Sequence, residues 1–372
     1  MVQKKLKKTK SLNISDFYSA ADYNSAEVRQ RFGEKRKFSV LLSESYKRIG
    51  KSGDSSYLRR SDRVSDCGTY LEFRKSMSDM HDESVPFKLW NANFCRERLC
   101  PLCSWRRSMK IFGQVSRIMD FMGDDLAYIF LTLTVPNCEG DQLSALIDDL
   151  QHGFNKLIHY KRFRTAVFGF FRALEVTRNK DLKSYSYGTY HPHFHCILAV
   201  RKRYFKEKEY ISHDEWLAMW RKAMKNPAIT QVDVRRVRPK DMAAGEETAK
   251  LLSDRLMDLK AGVAEVAKYT VKASDYIYEH DAKLTDEVVF TMSEALRGRR
   301  LCAFGGVFED IRKQLQLDDA EDGDLIHVGD DETLRADVAY MVRKYQWSAG
   351  AYKLYDVHVE HSDLSDPLAE GE

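Results

Sequence analysis

The segment from Pro192 to Val200 limits the possible folds more than any other part of the 372-residue chain. It reads as a β-strand, and successive side chains of a strand point to opposite faces of the sheet. His193 and His195 therefore share one face. The other face carries only apolar side chains, those of Phe194, Cys196, Leu198 and Val200. This pattern predicts a sheet that buries one face under helices and presents two imidazoles on the opposite face.

The elements around this strand indicate an α+β fold. Alternation and β-branched content predict strands over 127–135, 165–177, 192–200 and 229–237. Helical periodicity predicts helices over 143–158, 216–224, 246–260 and 263–280, and at least one more within 292–315. The order strand–helix–strand, strand–helix–strand is the ferredoxin-like split pattern, an antiparallel sheet with helices on one face.

The two histidines suggest a divalent metal site. Paired imidazoles bind such ions and leave coordination positions open for a substrate oxygen. Glu175, on the preceding predicted strand, is the expected third ligand, because a carboxylate that ends an apolar run is uncommon unless it is paired or binds metal. The alternatives are two surface histidines, and an ion pair of Glu175 with Arg172 or Arg178. His191 has the same parity but lies at a loop edge, so it is a weaker candidate.

Glu265 and Tyr269 are four residues apart in a segment that reads as a helix, so they share a face. A phenol, with a pKa of about 10, is a poor nucleophile near neutral pH. It becomes effective when a metal polarises a phosphate and the attacking oxygen is held in line. The alternative is a structural tyrosine, since the chain contains 19 tyrosines and Tyr276 and Tyr278 lie close by.

Seven cysteines without an export signal argue against a disulfide framework. Four of them fall within one polar stretch: Cys67, Cys95, Cys100 and Cys103. Their spacing predicts a structural zinc site, with four reduced structural cysteines as the alternative. The segment Trp105-Arg106-Arg107 is expected to contact DNA phosphates or stacked bases. The remaining three are expected to be buried thiols: Cys138, Cys196 and Cys302.

The net charge of +4 is unevenly distributed, with a lysine-rich start and an acidic stretch over 318–332. This asymmetry is compatible with a basic nucleic-acid face, although solvated surface and a loose acidic tail would explain it equally well. No run approaches the roughly 18 apolar residues of a membrane span. A cytoplasmic protein with no membrane partner is therefore expected.

Taken together, these motifs resemble the HUH endonuclease superfamily. The Thr-rich strand over 130–137, the histidine strand and the tyrosine helix occur in the order of its three motifs. More narrowly, the chain is similar to the rolling-circle replication initiators of Gram-positive plasmids, in the group with a Glu-x-x-x-Tyr helix. The resemblance runs from about 65 to 315 and includes the cysteine segment 95–107 and the segment 296–306.

The resemblance implies an activity. Tyr269 would attack a phosphodiester at the replication origin and leave a free 3′-OH for a polymerase. Glu265 would activate water in the terminating cleavage, and Lys272, in a Tyr-x-x-Lys motif, would position the strand or steady the metal site. Mg²⁺ or Mn²⁺ is the implied ion at Glu175, His193 and His195. Single-stranded and hairpin origin DNA, a host DNA polymerase and, because no nucleotide-hydrolysis motif is present, a host helicase are the implied partners.

Two other functions fit the same residues. A relaxase or a transposase would use the same chemistry on different DNA. A non-catalytic origin-binding repressor would keep the tyrosine for structural reasons.

The sequence also suggests a division into regions. These are a basic, partly disordered head (1–60), a cysteine-rich region (61–120), the HUH nuclease domain (121–285), a helical extension (286–345) and an acidic tail (346–372).

Overall fold

A computed structural model describes residues 25–83, 85–123, 126–206, 208–236, 271–328 and 339–361. Within these ranges the helices are α1 (Ser25–Ser52), α2 (Ser56–Asp66), α3 (Pro101–Met122), α4 (Leu143–His159), α5 (Lys161–Ala166), α6 (His213–Met224), α7 (Ala273–Tyr276), α8 (Ala282–Leu296) and α9 (Val307–Gln314). The strands are β1 (Tyr70–Ser76), β2 (Lys88–Ala92), β3 (Leu126–Leu133), β4 (Val167–Arg178), β5 (Tyr190–Arg201), β6 (Val232–Arg236), β7 (Cys302–Gly306), β8 (Ala339–Ser348) and β9 (Ala351–His361). Short 3₁₀ turns cover Met77–Asp79, Gly140–Gln142 and Tyr204–Lys206.

The larger sheet has five strands in the order β6-β3-β5-β4-β7, and every pairing is antiparallel. β5, the histidine strand, lies at its centre. The hairpin of β4 and β5 sets the register that matters most, with Glu175 opposite His193 and Ala173 opposite His195. The predicted α+β class with an antiparallel sheet is therefore confirmed.

Alternation along β5 separates two apolar clusters. Phe194 and Leu198 pack with α4 and α6, in a core that contains Phe154 and Trp220. Ile197 and Ala199 belong to a second cluster on the opposite face of the sheet, where they pack with apolar side chains of α3 and α9. The helices expected on one face are α4 and α6, and the structure adds α3 and α9 on the other. The two histidines lie on this second face, earlier in β5 than the residues that α3 and α9 cover.

A second sheet joins distant parts of the chain. Its order is β2-β1-β8-β9, so strands near the start and end of the described chain pair directly. β8 runs antiparallel to β1 from Tyr340 opposite Ser76 to Gln346 opposite Tyr70. Near the same end, the Tyr352 hydroxyl donates to the carbonyl of Gly68 at 2.5 Å. Gly68 has a φ of +65°, a conformation that favours glycine, where the chain turns from α2 into β1.

Two segments differ from expectation. Residues 25–52, within the head expected to be partly disordered, form α1, and α1 is anchored because Arg36 donates to the carbonyl of Val64 at 3.3 Å. Residues 346–348 and 351–361 of the expected acidic tail lie in β8 and β9. The region boundaries stay a prediction. The helix predicted over 246–260, and 263–270 of the next, lie outside the described residues.

Across the described ranges, no helix combines the length and apolar character needed to cross a membrane.

Candidate metal centre and catalytic site

Strand pairing brings Glu175, His193 and His195 together on one face of the sheet. The carboxylate oxygen Oε2 of Glu175 lies 2.9 Å from Nε2 of His195 and 3.4 Å from Nε2 of His193. The two Nε2 atoms are 3.1 Å apart. The three residues predicted as ligands thus form one group, and the side chains of Glu175 and His193 are buried.

This triangle has the dimensions of a metal site. An octahedral Mg²⁺ about 2.1 Å from each ligand places neighbouring ligand atoms about 3.0 Å apart. The observed edges of 2.9, 3.1 and 3.4 Å match that spacing. Three protein ligands on one face would leave the remaining positions open to substrate oxygens or water. The residues present therefore fit a divalent cation.

The outer nitrogens of both imidazoles are engaged. Nδ1 of His193 lies 3.1 Å from the carbonyl oxygen of His191, and Nδ1 of His195 lies 3.2 Å from Oγ1 of Thr132 on β3. When an ion is bound, a proton on Nδ1 of His193 would satisfy this carbonyl and leave the lone pair of Nε2 free for the ion. Such outer contacts fix the tautomer and the ring orientation of metal-binding histidines.

Glu175 is buried yet ionised. Burial alone would raise the pKa of this carboxyl, but hydrogen bonds to His193 and His195 and the charge of Lys272 outweigh it and hold the pKa well below its usual range. Nζ of Lys272 lies 3.2 Å from Oε1 of Glu175. The alternative ion pair with Arg172 or Arg178 is wrong.

Those two arginines have other partners. Arg172 donates to the side chain of Gln151 at 2.9 Å, and Arg178 donates to the Tyr278 hydroxyl at 2.8 Å.

His191 lies beside this group rather than within it. Its ring stacks on that of His193, with centroids 4.9 Å apart and an interplanar angle of 25°. Burial, and then the neighbouring His193, lower the pKa of His191 to about 4. The neutral ring therefore supports the orientation of His193, a contact that strand parity alone did not reveal.

Glu265 and Tyr269 lie outside the described residues, whereas Lys272 is described and touches Glu175. The two nearby tyrosines have occupied hydroxyls. Tyr276 is 1% exposed and donates to the carbonyl of Leu99. Tyr278 donates to the carbonyl of Asp275 at 3.3 Å and accepts from Arg178. The hydroxyl groups of Tyr276 and Tyr278 are both used in contacts that stabilise the fold.

The four clustered cysteines also converge. Cys67 follows α2, Cys95 and Cys100 flank a short loop, and Cys103 lies in the first turn of α3. Sγ of Cys67 is 3.5 Å from that of Cys103 and 3.6 Å from that of Cys100, and Sγ of Cys95 is 3.7 Å from that of Cys103. Tetrahedral zinc with bonds of about 2.3 Å requires sulfurs about 3.8 Å apart. The cluster therefore fits zinc.

Hydrogen bonds around the sulfurs favour a thiolate at Cys100, whereas hydrogen bonds among the thiols raise the pKa of Cys67 and that of Cys95 well above the usual value. The backbone N–H groups of Cys95 and Arg96 donate to the sulfurs of Cys67 and Cys103, each at 3.3 Å. Burial raises the pKa of Cys100, but hydrogen bonds from the other thiols and from Ser39 outweigh it and lower that pKa well below its usual value. Ser39, on α1, is 61 residues from Cys100, and no local sequence pattern connects them.

The expected DNA contact by Trp105-Arg106-Arg107 is wrong for Arg106 and stays a prediction for Trp105 and Arg107. Arg106 is 1% exposed and donates to the carbonyls of Leu325 and Ile326. Arg107 donates to the carbonyls of Glu321 and Glu97 at 3.0 and 3.2 Å. Both guanidinium groups hold loops together, because buried or half-buried carbonyls need donors.

The remaining cysteines are buried thiols, as predicted. Burial raises the pKa of Cys138 to about 11 and that of Cys196 to about 12, and Cys302 is also buried.

A family comparison assigns the chain to a known group of proteins. The family model described as "Replication protein" matches residues 86–355, a range that includes the three candidate metal ligands and three of the four clustered cysteines. The chain belongs to this replication protein family. The resemblance to rolling-circle replication initiators is thereby confirmed at the level of the family.

Individual relatives agree with this assignment. A "Protein rep" from Bacillus amyloliquefaciens is 37% identical over 346 residues, which are 90% of this chain and 98% of that protein. A "Protein rep" from a Bacillus species is 39% identical over 77% of this chain and 91% of its own length. A "Protein rep" from Streptococcus pneumoniae is 34% identical over 73% of this chain and 76% of its own length. No solved structure matches the chain.

Proposed function

We propose that the protein is a plasmid rolling-circle replication initiator, a metal-dependent endonuclease that nicks and rejoins one DNA strand at its origin. The observation that carries this proposal is the buried group of Glu175, His193 and His195, with Lys272 against Glu175, in a member of the replication protein family. Tyr269 precedes Lys272 by three residues, so at most about 11 Å of chain separates their Cα atoms. The chain therefore keeps the proposed nucleophile within that distance of Lys272, which contacts the metal group (Glu175, His193 and His195).

Each residue at this site has its own proposed role. Glu175, His193 and His195 would hold Mg²⁺ or Mn²⁺, which supplies polarisation of the scissile phosphate. Thr132 and the carbonyl of His191 keep the imidazoles oriented. Lys272, exposed on one side and paired with Glu175 on the other, is placed to attract a backbone phosphate to the group.

The proposed reaction conserves the phosphodiester energy. The phenol oxygen of Tyr269 forms a bond to phosphorus, the bond from phosphorus to the 3′ oxygen breaks, the phenol loses its proton and the departing 3′ oxygen gains one. The products are a 5′-phosphotyrosine and a free 3′-OH for a polymerase. In the terminating cleavage, Glu265 would accept a proton from the attacking water.

The proposal includes the cell's replication machinery. Single-stranded and hairpin origin DNA would be the substrate in the cytoplasm. The sequence has no nucleotide-hydrolysis motif, so a host helicase would unwind the DNA, and a host DNA polymerase would extend the 3′-OH.

The test is formation of a covalent adduct. The protein is incubated with single-stranded oligonucleotides from the DNA that flanks its own gene, with Mg²⁺ or Mn²⁺, and the products are separated under denaturing conditions. We expect an adduct that disappears with chelator and in Tyr269→Phe. An adduct that persists in Tyr269→Phe would move the nucleophile elsewhere, and no adduct on any strand would favour the non-catalytic repressor.

The role of Glu265 has its own test. In Glu265→Ala we expect the first cleavage at a normal rate and poor release of the joined product, because only the water-dependent step needs the base. A variant blocked at the first nick would contradict this role.

We also propose that Cys67, Cys95, Cys100 and Cys103 bind a structural zinc ion. Elemental analysis of purified protein should find about one equivalent of zinc in the wild type and a large loss in Cys100→Ser. Cys138→Ser, which replaces a buried thiol elsewhere, is the matched control and should keep the zinc. Less than half an equivalent in the wild type would overturn the proposal.

A further inference from the structure

A cleft of about 420 Å³ opens beside the cysteine cluster, between α2, the loop over 96–99 and the end of α8. Arginines dominate its lining, and Glu97 is the one acidic residue among them. The arginines are Arg59, Arg60, Arg63, Arg98 and Arg297. None of the residues that line this cleft belongs to the metal group or to the cysteine cluster.

Carboxylates neutralise these arginines only in part. Arg60 and Arg63 share the single carboxylate of Glu97, at 3.1 and 3.0 Å. Arg98 pairs with Glu321 and Arg297 with Glu294. Arg59 is exposed and has no ion-pair partner among the residues that the structure describes. The exposed carboxylate of Asp54 also lies near Arg60 and Arg297, so five guanidinium groups face four carboxylates, which leaves an excess of one positive charge.

Two of the arginines, Arg60 and Arg63, are also held in place. The guanidinium group of Arg60 lies over the rings of Tyr46 and Tyr57, at 4.4 and 4.7 Å from their centroids, and donates to the Tyr46 hydroxyl at 2.8 Å. Arg63 donates to the carbonyl of Cys95 at 2.5 Å. A guanidinium group fixed in this way loses little freedom when it binds an anion, and its planar donors match phosphate oxygens.

The cysteine cluster holds both walls of the cleft. α2, which carries Arg59, Arg60 and Arg63, ends next to Cys67, and the loop with Glu97 and Arg98 runs between Cys95 and Cys100. The four sulfurs therefore set the spacing between the walls.

The cleft is also connected to the metal group. Tyr276 donates to the carbonyl of Leu99 in the same loop, and α7, which contains Tyr276, begins directly after Lys272. One turn of helix, about 6 Å along its axis, separates Lys272, which contacts Glu175, from Tyr276, whose side chain extends from there to the Leu99 carbonyl.

We propose that this arginine cleft binds the phosphodiester backbone of DNA next to the strand that is cut. The proposal rests on the proposed function only in taking DNA as the polyanion. The cleft takes over the role that the sequence assigned to Arg106, which is buried and whose donors are used on carbonyls. Its contacts are with phosphates, so they add affinity without reading base sequence.

The test measures binding of a fluorescein-labelled, mixed-sequence DNA duplex at several salt concentrations. Each arginine–phosphate contact contributes a slope of about −0.9 to the plot of log affinity against log salt. We expect the Arg59→Ala/Arg297→Ala variant to bind about tenfold more weakly at 0.1 M salt, with a slope smaller by about 2. Arg59→Lys should keep the wild-type slope. Lys202→Ala/Arg203→Ala, in the exposed turn after β5, is the charge-matched control and should also keep it.

The outcomes separate this proposal from the proposed function. Unchanged affinity and slope in the cleft variant would overturn the cleft, even where the Tyr269 adduct still forms. A wild type that forms no adduct would overturn the nicking chemistry, while a reduced slope in the cleft variant would still support the cleft. Should the double variant unfold, Arg59→Glu carries the test, because this exposed side chain has no partner among the described residues.

Discussion

At the scale of single residues, the state of Glu175 controls the site. A buried carboxylate without partners would be neutral, because burial disfavours the charged form. Here two histidines and Lys272 keep the pKa of Glu175 low, so a full negative charge faces the two Nε2 atoms. The site is therefore charged before any cation arrives, and metal binding would displace protons from the imidazole Nε2 atoms that donate to Glu175 rather than from Glu175 itself.

Glu175→Gln tests this charge. Glutamine keeps the size of the side chain but removes the anion, so we expect Mn²⁺ affinity, measured by isothermal titration calorimetry, to fall at least about tenfold. Glu279→Gln, on an exposed residue, is the control and should bind like the wild type. Unchanged affinity in Glu175→Gln would remove this residue from the ligand set.

Lys272→Met should separate metal binding from cleavage. The ammonium group 3.2 Å from Oε1 of Glu175 repels a cation at the same carboxylate. Because the side chain of Lys272 is half-exposed, its removal should raise Mn²⁺ affinity only about threefold. Adduct formation should nevertheless slow, and Lys272→Arg should restore both properties. A Met variant that binds metal more weakly would show that Lys272 supports the ligands instead.

Sequence reasoning predicted these side chains unevenly. Strand parity was sufficient to place His193 and His195 on one face, and the hairpin made Glu175 their neighbour. The contact between Lys272 and Glu175 joins segments almost a hundred residues apart, so periodicity could not supply its geometry. The same limit explains Arg106, since the sequence does not show which carbonyls will end beside a guanidinium group.

At the scale of elements, the short helix α7 links two regions. Tyr276 reaches from α7 to the carbonyl of Leu99, in the loop between two clustered cysteines. The position of Lys272, immediately before α7, therefore depends on that loop as well as on the sheet.

Tyr276→Phe isolates this link. The change leaves the buried carbonyl of Leu99 without its donor, so we expect the free energy of unfolding to fall by about 1–3 kcal/mol in chemical denaturation. The Tyr269 adduct should form in normal yield, since the Tyr276 hydroxyl is not the proposed nucleophile. Loss of the adduct in a folded Tyr276→Phe protein would reopen the choice of tyrosine.

Acidic residues of the stretch over 318–332 have partners inside the fold, one of them on the basic helix α3. Lys110 pairs with Asp318, and the buried carboxylate of Glu321 accepts from the backbone N–H groups of Leu301 and Cys302 at 2.8 Å. Charge asymmetry along the sequence suggested a nucleic-acid face or loose surface. Much of this charge is neutralised within the fold, by ion pairs and hydrogen bonds between residues that are far apart in the sequence.

At the scale of the whole molecule, the second sheet could not be predicted. β8 and β9 lie in a segment that composition marked as a helical extension and an acidic tail, and the second half of β9 alternates half-buried polar side chains with exposed apolar ones. β9 pairs with β8, and β8 pairs with β1, more than 260 residues earlier in the chain. Local patterns carry no information on such a pairing.

Ending the chain at residue 338 tests the importance of this sheet. The deletion removes the partner strand of β1 and the donor to the Gly68 carbonyl, next to Cys67. We expect a lower thermal unfolding midpoint and less than half the wild-type zinc content. A chain ended at residue 361 keeps both strands and is the control. Normal zinc content after the longer deletion would show that the cysteine cluster assembles without this sheet.

The pairing of β1 with β8 also affects when parts of the protein can fold during synthesis. Ribosomes add residues in order, so β1 can pair early with β2, but it pairs with β8 only after more than 260 further residues have been translated. The hydroxyl that reaches Gly68 belongs to Tyr352, in β9, which is translated later still. The residue next to Cys67 therefore lacks this contact until Tyr352 has been added, and a nascent chain stalled earlier would lack it too.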